Sequence, residues 1–309
     1  MTRAVVFAYH NVGVRCLATL LAHDIEVPLV VSHEDNADEN IWFGSVAELA
    51  ALNNIPLITP DDPNTPEVMG LIADLAPDFL FSFYYRNMLS AEILQLPALG
   101  ALNMHGSLLP QYRGRVPVNW AIIQGESEAG ASLHYMDVKP DAGDLVDQLA
   151  VPILPNDTAG QVFDKLSVAA EIVLNRSLPA LIAGNAPRNP LDLDQGSYFG
   201  GRRPEDGRID WSQGAWAIHN LIRAVAPPYP GAFTEQLGNR LVIMGSFFRK
   251  ESARYQGPCL YREDDTIYAD CADGLRIRLL GIELDGRTIT TEEFTDIFGP
   301  EPVFIGEPE

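Results

Sequence analysis

Cysteine is scarce in this sequence: Cys16, Cys259 and Cys271 are the only three among 309 residues. They are odd in number, far apart and in no CxxC pair, which argues against a disulfide framework and for reduced thiols in a cytoplasmic protein. Positive charge is equally thin. Lys and Arg number 21 against 42 Asp and Glu, a formal net charge of -21. Such a field opposes attraction to nucleic-acid phosphates and anionic lipid, and no long basic run offsets it. Neither nucleic acid nor membrane is therefore expected as a partner, and an anionic small substrate would need a local cluster of arginines. Long apolar runs are missing as well. Nothing is long enough to span a bilayer, and the apolar part of Met1-Thr2-Arg3-Ala4-Val5-Val6-Phe7-Ala8 is too short for a signal peptide. The expected location is the cytosol.

Several catalytic signatures are also absent. The first strand-to-helix junction, Tyr9-His10-Asn11-Val12-Gly13, lacks GxGxxG spacing, which removes the main support for a dinucleotide site. There is no GxxxxGK[ST] phosphate loop and no GxSxG elbow. His10, His23, His33, His105, His134 and His219 form no HExxH motif or close ligand pair, so no metal is expected. No repeat or heptad stands out, which leaves the oligomeric state open.

What is present reads as an α/β enzyme, with apolar residues at 47% and charged residues at 20%. Short β-branched or aromatic runs alternate with amphipathic stretches, the pattern of a mostly parallel sheet. Strands are expected at residues 4–9, 27–32, 55–58, 78–84 and 100–105, and helices at 14–22, 43–52, 65–75, 91–96 and 157–184. The polar stretch Asn185-Ala186-Pro187-Arg188-Asn189-Pro190 suits a linker. Beyond it, a helix at 216–225 precedes short strands with turns at Gly238-Asn239, Asp273-Gly274 and Asp285-Gly286. The expected organisation is a catalytic domain over 1–189 and a smaller β-rich, open-barrel-like domain over 190–309, with an acidic tail that frays after residue 300.

The chemistry concentrates in Asn103-Met104-His105-Gly106-Ser107-Leu108-Leu109-Pro110-Gln111-Tyr112-Arg113-Gly114, with Asp141-Ala142-Gly143-Asp144 further on. Alternation along a strand puts Asn103 and His105 on one face, and Gly106, Pro110 and Gly114 then impose a loop. Ligands bind beyond the carboxyl ends of such strands. An amide can donate to an oxyanion, an imidazole can move a proton near neutral pH, and a carboxylate can hold that imidazole. Taken singly each residue has a plainer reading: a half-buried histidine, or an aspartate capping its own turn. Arg202 and Arg203, with Arg223, concentrate positive charge, or else pair at the surface with Glu205 and Asp206. Pro227-Pro228-Tyr229-Pro230-Gly231 either ends the helix or walls a ligand cleft between domains.

These residues resemble the 10-formyltetrahydrofolate-dependent sugar-nucleotide N-formyltransferases, and among them most closely the formyltransferase domain that acts on UDP-4-amino-4-deoxy-L-arabinose in bacterial lipid A modification. The likeness runs through Val5-Val6-Phe7-Ala8-Tyr9-His10, Phe81-Ser82-Phe83-Tyr84-Tyr85-Arg86, His105-Gly106-Ser107-Leu108-Leu109-Pro110, Tyr112-Arg113-Gly114-Arg115, Phe199-Gly200 with Arg202-Arg203, Arg223-Ala224-Val225-Ala226 and Pro230-Gly231-Ala232-Phe233, weakening after about Ser246. The resemblance implies a Rossmann-like catalytic domain followed by a barrel-like one. It implies Asn103, His105 and Asp141 as the catalytic trio. Asn87, Met88, Leu89, Arg115, Asp137, Val138, Lys139, Pro140 and Asp141 match positions that contact the folate, largely through backbone groups. Arg86, Arg202 and Arg203 are candidates for the diphosphate of the sugar nucleotide, since guanidinium suits phosphate, and Tyr229 for bordering its base or sugar. No metal is implied. The family pattern has Thr where this chain has Ser132. The related bifunctional enzyme continues into a decarboxylating dehydrogenase domain where this sequence stops, so any oxidation of the sugar is expected on another polypeptide. The expected mechanism has Asn103 and a protonated His105 hold the oxyanion while Asp141 raises the pKa of the imidazole. Three other readings compete. One is an acceptor of the dTDP-4-amino-4,6-dideoxyhexose type. Another is methionyl-tRNA formyltransferase, against which stands the acidic His33-Glu34-Asp35-Asn36-Ala37-Asp38-Glu39-Asn40 where a basic insertion is typical. The third is a folate- or nucleotide-sensing module without catalysis.

Overall fold

The computed structural model describes residues 1–36, 39–236 and 238–305. It divides into two compact units. The first takes Met1–Pro117, Ala129–Val151 and Asp164–Gly200; the second takes Val118–Glu128, Pro152–Phe163 and Gly201–Glu309.

The chain opens as β1 (Arg3–Ala8), α1 (His10–Ala22), β2 (Glu26–Val31), α2 (Val46–Leu52), β3 (Leu57–Ile58), α3 (Pro66–Leu75), β4 (Phe79–Phe83), α4 (Ala91–Leu94) and β5 (Gly100–His105). It continues through β6 (Arg113–Gly114), α5 (Pro117–Ile123), β7 (Glu128–Tyr135), β8 (Leu145–Pro152), α6 (Ala159–Ile182) and β9 (Tyr198–Phe199). A seven-stranded sheet runs β3-β2-β1-β4-β5-β7-β8. β1 through β5 pair in parallel, and β7 lies antiparallel to β5. This is the mostly parallel, Rossmann-like sheet the sequence pattern implies.

The apolar runs explain the architecture. β4 reads Phe-Leu-Phe-Ser-Phe and every residue in it is buried, as expected for a strand covered on both faces. Val5, Phe7, Leu29, Val31, Leu80, Ile72 and Ile93 form one core cluster between this sheet and its helices. Each such side chain contributes about 1.5–3 kcal/mol on burial. α1 starts at His10, earlier than the expected residue 14. Without a glycine-rich phosphate loop the chain passes directly from strand to helix, and Gly13 packs against Ala8 and Val46. Thr65 caps α3 by accepting from Val68 N–H, with Pro66 at the first helical position. α6 begins at a reciprocal cap between Thr158 and Gln161.

The second unit adds α7 (Ala215–Ala224), β10 (Ala232–Gln236), β11 (Asn239–Ser252), β12 (Cys259–Glu263), β13 (Thr266–Asp270), β14 (Leu275–Leu284), β15 (Arg287–Ile289), α8 (Thr291–Phe298) and β16 (Val303–Phe304). Its antiparallel sheet follows the order β10-β11-β14-β13-β12-β16. The Gln236 side chain on β10 donates to the Phe304 carbonyl on β16, so the sheet curls until its outer strands meet. Asp285 and Gly286 both take positive φ and join β14 to β15 in a two-residue hairpin, as an Asp-Gly pair favours. The tail departs from expectation. Val303 and Phe304 pair with Leu260 and Cys259 rather than fraying, because Val303 buries an apolar side chain there; residues 306–309 lie outside the described ones. Among the described residues no helix is long and apolar enough to cross a membrane.

Candidate active site

β5 ends in Asn103-Met104-His105, and both polar residues face β7 across an antiparallel pair. Asn103 lies opposite His134, and His105 opposite Ser132. Asp141, on the turn between β7 and β8, sits at φ 51. Its carboxylate does not cap that turn. One oxygen, Oδ1, lies 3.4 Å from His105 Nδ1 and 3.6 Å from His134 Nε2, and Asn103 Nδ2 approaches it at 3.5 Å. The other, Oδ2, accepts from the Gly114 N–H at 2.9 Å. Asn103, His105 and Asp141 therefore meet at one point beyond the carboxyl end of a strand.

The hydrogen-bond partners define what each group presents. His134 Nδ1 donates to the Tyr135 carbonyl at 2.8 Å, which leaves Nε2 to accept from Asn103 Nδ2 at 3.2 Å. The Asn103 amide is thereby fixed with its nitrogen on His134 and Asp141. His105 Nε2 donates to the Tyr112 carbonyl at 2.9 Å. Both ring nitrogens of His105 thus face acceptors, one neutral and one anionic.

Electrostatics separates the two partners. Burial lowers the His105 pKa, and His134 adds to that; Asp141 and the Tyr112 carbonyl push upward but do not overcome it. Burial is thus the larger effect and makes the net direction downward, which favours the neutral ring, while Asp141 pushes the His105 pKa upward as expected. For Asp141 burial pushes up, and the His105 and His134 rings with the Gly114 N–H outweigh it, holding the carboxyl well below the usual carboxylate range. The site keeps a standing anion beside a neutral base.

Loops around the trio are held by small polar side chains. Ser132 Oγ accepts from the Leu109 N–H at 3.1 Å and donates to the Ser107 carbonyl at 2.6 Å. A threonine hydroxyl would serve the same bonds. Of the residues matched to folate contacts, Asp137, Val138 and Lys139 are exposed beside half-buried Pro140 and Asp141, and Arg115 is exposed one residue beyond Gly114. Asn87, Met88 and Leu89 follow β4, the neighbour of β5. Met88 is exposed and its carbonyl accepts from Asn64, Asn87 donates to the Asp61 carbonyl, and the Leu89 side chain belongs to the core.

The arginines are dispersed. Arg86 places Nη1 on both carboxylate oxygens of Glu39, at 2.8 and 2.9 Å, and lies over the Tyr9 ring. In the second unit, half-buried Arg202 donates to the Asp206 backbone carbonyl and lies over Trp120; Arg203 is exposed and bonds Asp206 through its backbone N–H. Arg223 does not join them. It is 1% exposed, bonded to Asn220 and to the Leu154 and Asp157 carbonyls. Tyr229 packs partly against the core of the second unit. Among the described residues, no cluster of His, Cys, Asp and Glu is placed to hold a metal ion.

Sequence reasoning missed His134, the Tyr112 carbonyl and the Gly114 N–H. The alternation of β7 would have placed His134 only if its register against β5 were known.

A scan against protein families matches residues 9–178 to "Formyl transferase" and residues 202–298 to "Formyl transferase, C-terminal domain". Among solved structures, the chain is similar to an N-formyltransferase from Helicobacter canadensis in complex with folinic acid and dTDP-3-aminofucose, at 22% identity over 90% of this chain and 99% of that one, TM-score 0.72. It is similar to a sugar 3N-formyl transferase, WlaRD, at 20% identity over 93% of this chain and 99% of the other, TM-score 0.71. A 4-N formyltransferase from Francisella tularensis gives 18% identity over 77% and 95%, TM-score 0.63. At these identities the likeness is one of fold.

Proposed function

The chain belongs to the formyl transferase family, and from that premise we propose that it carries a formyl group from 10-formyltetrahydrofolate to the 4-amino group of a nucleotide-linked amino sugar, with UDP-4-amino-4-deoxy-L-arabinose as acceptor. The observation that carries this reading is the meeting of Asn103, His105 and the Asp141 carboxylate, with His105 Nδ1 3.4 Å from Asp141 Oδ1. The neighbour described as a sugar 3N-formyl transferase and the one solved with folinic acid and dTDP-3-aminofucose support the acceptor class.

The donor set suits the folate. A neutral amide and imidazole beside a fixed anion match an uncharged formyl group and an amine that sheds a proton. The exposed loop Asp137, Val138, Lys139 and Pro140 offers backbone groups, and Arg115 offers a cation for a carboxylate tail. When bound, the folate supplies the formyl carbon on its N10. The protein's part is positioning and proton movement. Asn103 sits where an amide can orient the reacting group. His105 takes up the proton of the attacking amine at Nδ1, against Asp141 Oδ1, while its Nε2–H stays on the Tyr112 carbonyl. Asp141 stabilises that transient imidazolium, which would return the proton to N10 as the bond between N10 and the formyl carbon breaks, so that the formyl group stays on the sugar nitrogen and tetrahydrofolate leaves with N10 neutral. In an apolar setting each well-aimed group contributes about 3 kcal/mol.

Candidates for the diphosphate are Arg86, which must exchange Glu39 for phosphate, and, each by its own guanidinium, Arg202 and Arg203. Tyr229 is proposed to border the base or sugar. A dTDP-linked amino sugar is the second reading, motivated by the neighbour solved with dTDP-3-aminofucose. Thermal-shift titration and formyl-transfer assays with UDP- and dTDP-4-amino sugars, with folate present, decide between them; formylation of neither would defeat the sugar reading. A gel shift with initiator tRNA at low salt tests the remaining acceptor, and retarded tRNA would favour it.

A further inference from the structure

The loop that carries the Tyr112 carbonyl and the Gly114 N–H has no regular element of its own except the two residues of β6. Those two groups lie on one edge of β6 and serve His105 and Asp141. The opposite edge is taken by a segment distant in sequence. The Ser197 carbonyl accepts from Arg113 N–H and the Phe199 carbonyl from Arg115 N–H, both at 3.0 Å. Ser197 Oγ accepts from Tyr112 N–H at 2.8 Å, and the Phe199 ring stacks on Tyr112 at 5.2 Å. Gln111 Nε2 reaches the Gln195 carbonyl at 2.5 Å.

The loop needs this support. Tyr112 sits at φ 54, a conformation that a non-glycine residue holds only where the surroundings over-determine it, and Gly114 takes φ 97, which its lack of a Cβ allows. The approach is close enough that a Cβ on Gly114 would strike the Phe199 carbonyl oxygen, and one on Gly196 the Pro110 carbonyl oxygen. The segment also lies outside both family matches, which end at residue 178 and resume at residue 202.

We propose that residues 195–199 form a strap that positions the reacting pair His105 and Asp141 through the 112–114 loop, with Ser197 as its principal positioning residue. The proposal rests on the formyl-transfer reading for its kinetic consequence alone. Ser197 touches neither His105 nor Asp141, so it acts through Tyr112 by fixing where that residue's carbonyl points. Loosening it withdraws an acceptor from His105 Nε2. The imidazole then loses one of the two contacts that raise its pKa.

The test uses the full chain with Ser197→Ala, Ser197→Thr and Phe199→Leu. Nuclear magnetic resonance titration of the His105 ring is read beside kcat and KM across pH. Ser197→Ala should lower the His105 pKa, move the acid limb of kcat the same way, and reduce kcat roughly tenfold with KM within about twofold. Ser197→Thr, which keeps the hydroxyl, should restore both. Phe199→Leu should act in the same direction if Ser197→Ala folds poorly. An unchanged His105 titration in folded Ser197→Ala and Phe199→Leu overturns the strap, as does equal loss in Ser197→Ala and Ser197→Thr. If the unsubstituted protein formylates no amino sugar, the functional reading fails while the titration still decides the strap.

Discussion

Two buried histidines, one in each unit, show how the same side chain is set for opposite purposes. His105 is 7% exposed and His219 is 0% exposed, and each gives Nε2 to a backbone carbonyl, Tyr112 in one case and Pro155 in the other. They part at Nδ1. His219 meets the Ser246 hydroxyl at 2.7 Å, a neutral group that can donate, so one tautomer satisfies everything. Its pKa falls to about 4, driven by burial and by Arg223. His105 meets a carboxylate, so an added proton has somewhere to sit. A buried histidine whose second nitrogen faces an anion can take up a proton, as we propose for His105, whereas one that faces a hydroxyl is satisfied as a neutral post.

The sharpest way to break this contrast is to remove each ring. His105→Ala and Asn103→Ala should each cut kcat by about 10²–10³-fold, while His219→Gln leaves kcat within about threefold; steady-state formyl transfer reads both. Asp141→Asn comes next, lowering kcat by roughly 10²-fold. It also removes the main group raising the His105 pKa, so the acid limb of the rate profile should move to lower pH.

The third test is thermodynamic. His219 has a folded pKa of about 4 against an unfolded value of about 6.5. Its neutral form therefore stabilises the fold fully above about pH 6.5, and that contribution is lost as pH falls towards 4, worth on the order of 3 kcal/mol. Melting curves between pH 7.5 and 4.5 should show His219→Gln starting lower and losing less. The smallest effect belongs to Ser132→Ala, which leaves the buried Leu109 N–H short of an acceptor and should cost about 1–3 kcal/mol by denaturant titration.

Much of the fold was legible because strand ends coincide with changes of residue type. β5 runs from Gly100 to His105 as the sequence indicated, an apolar run entered at glycine and left at a polar residue followed by glycine. The Asp-Gly hairpin likewise followed from turn chemistry. What could not be read was anything made of backbone or pairing direction. His134 matters only because β7 runs antiparallel to β5, and nothing in its own neighbours announces that. Arg223 was misjudged as part of a surface cluster because a charged residue on an amphipathic helix ordinarily faces water. Here three acceptors, Asn220 Oδ1 and two backbone carbonyls, make burial tolerable. At the candidate site the side chains were visible in the sequence, and the carbonyl and amide that hold them were not.

The parallel pairing of β6 with β9 bears on how far this enzyme can be dissected. A fragment cut after the last turn of α6 would retain the amide, the imidazole and the acid in full. It would lose the ladder that keeps Tyr112 and Gly114 turned inward, because that ladder is supplied from residues 195–199. Where such a fragment can end is thus set by where the scaffold's hydrogen bonds stop, well past Asp141, the last of the three converging side chains.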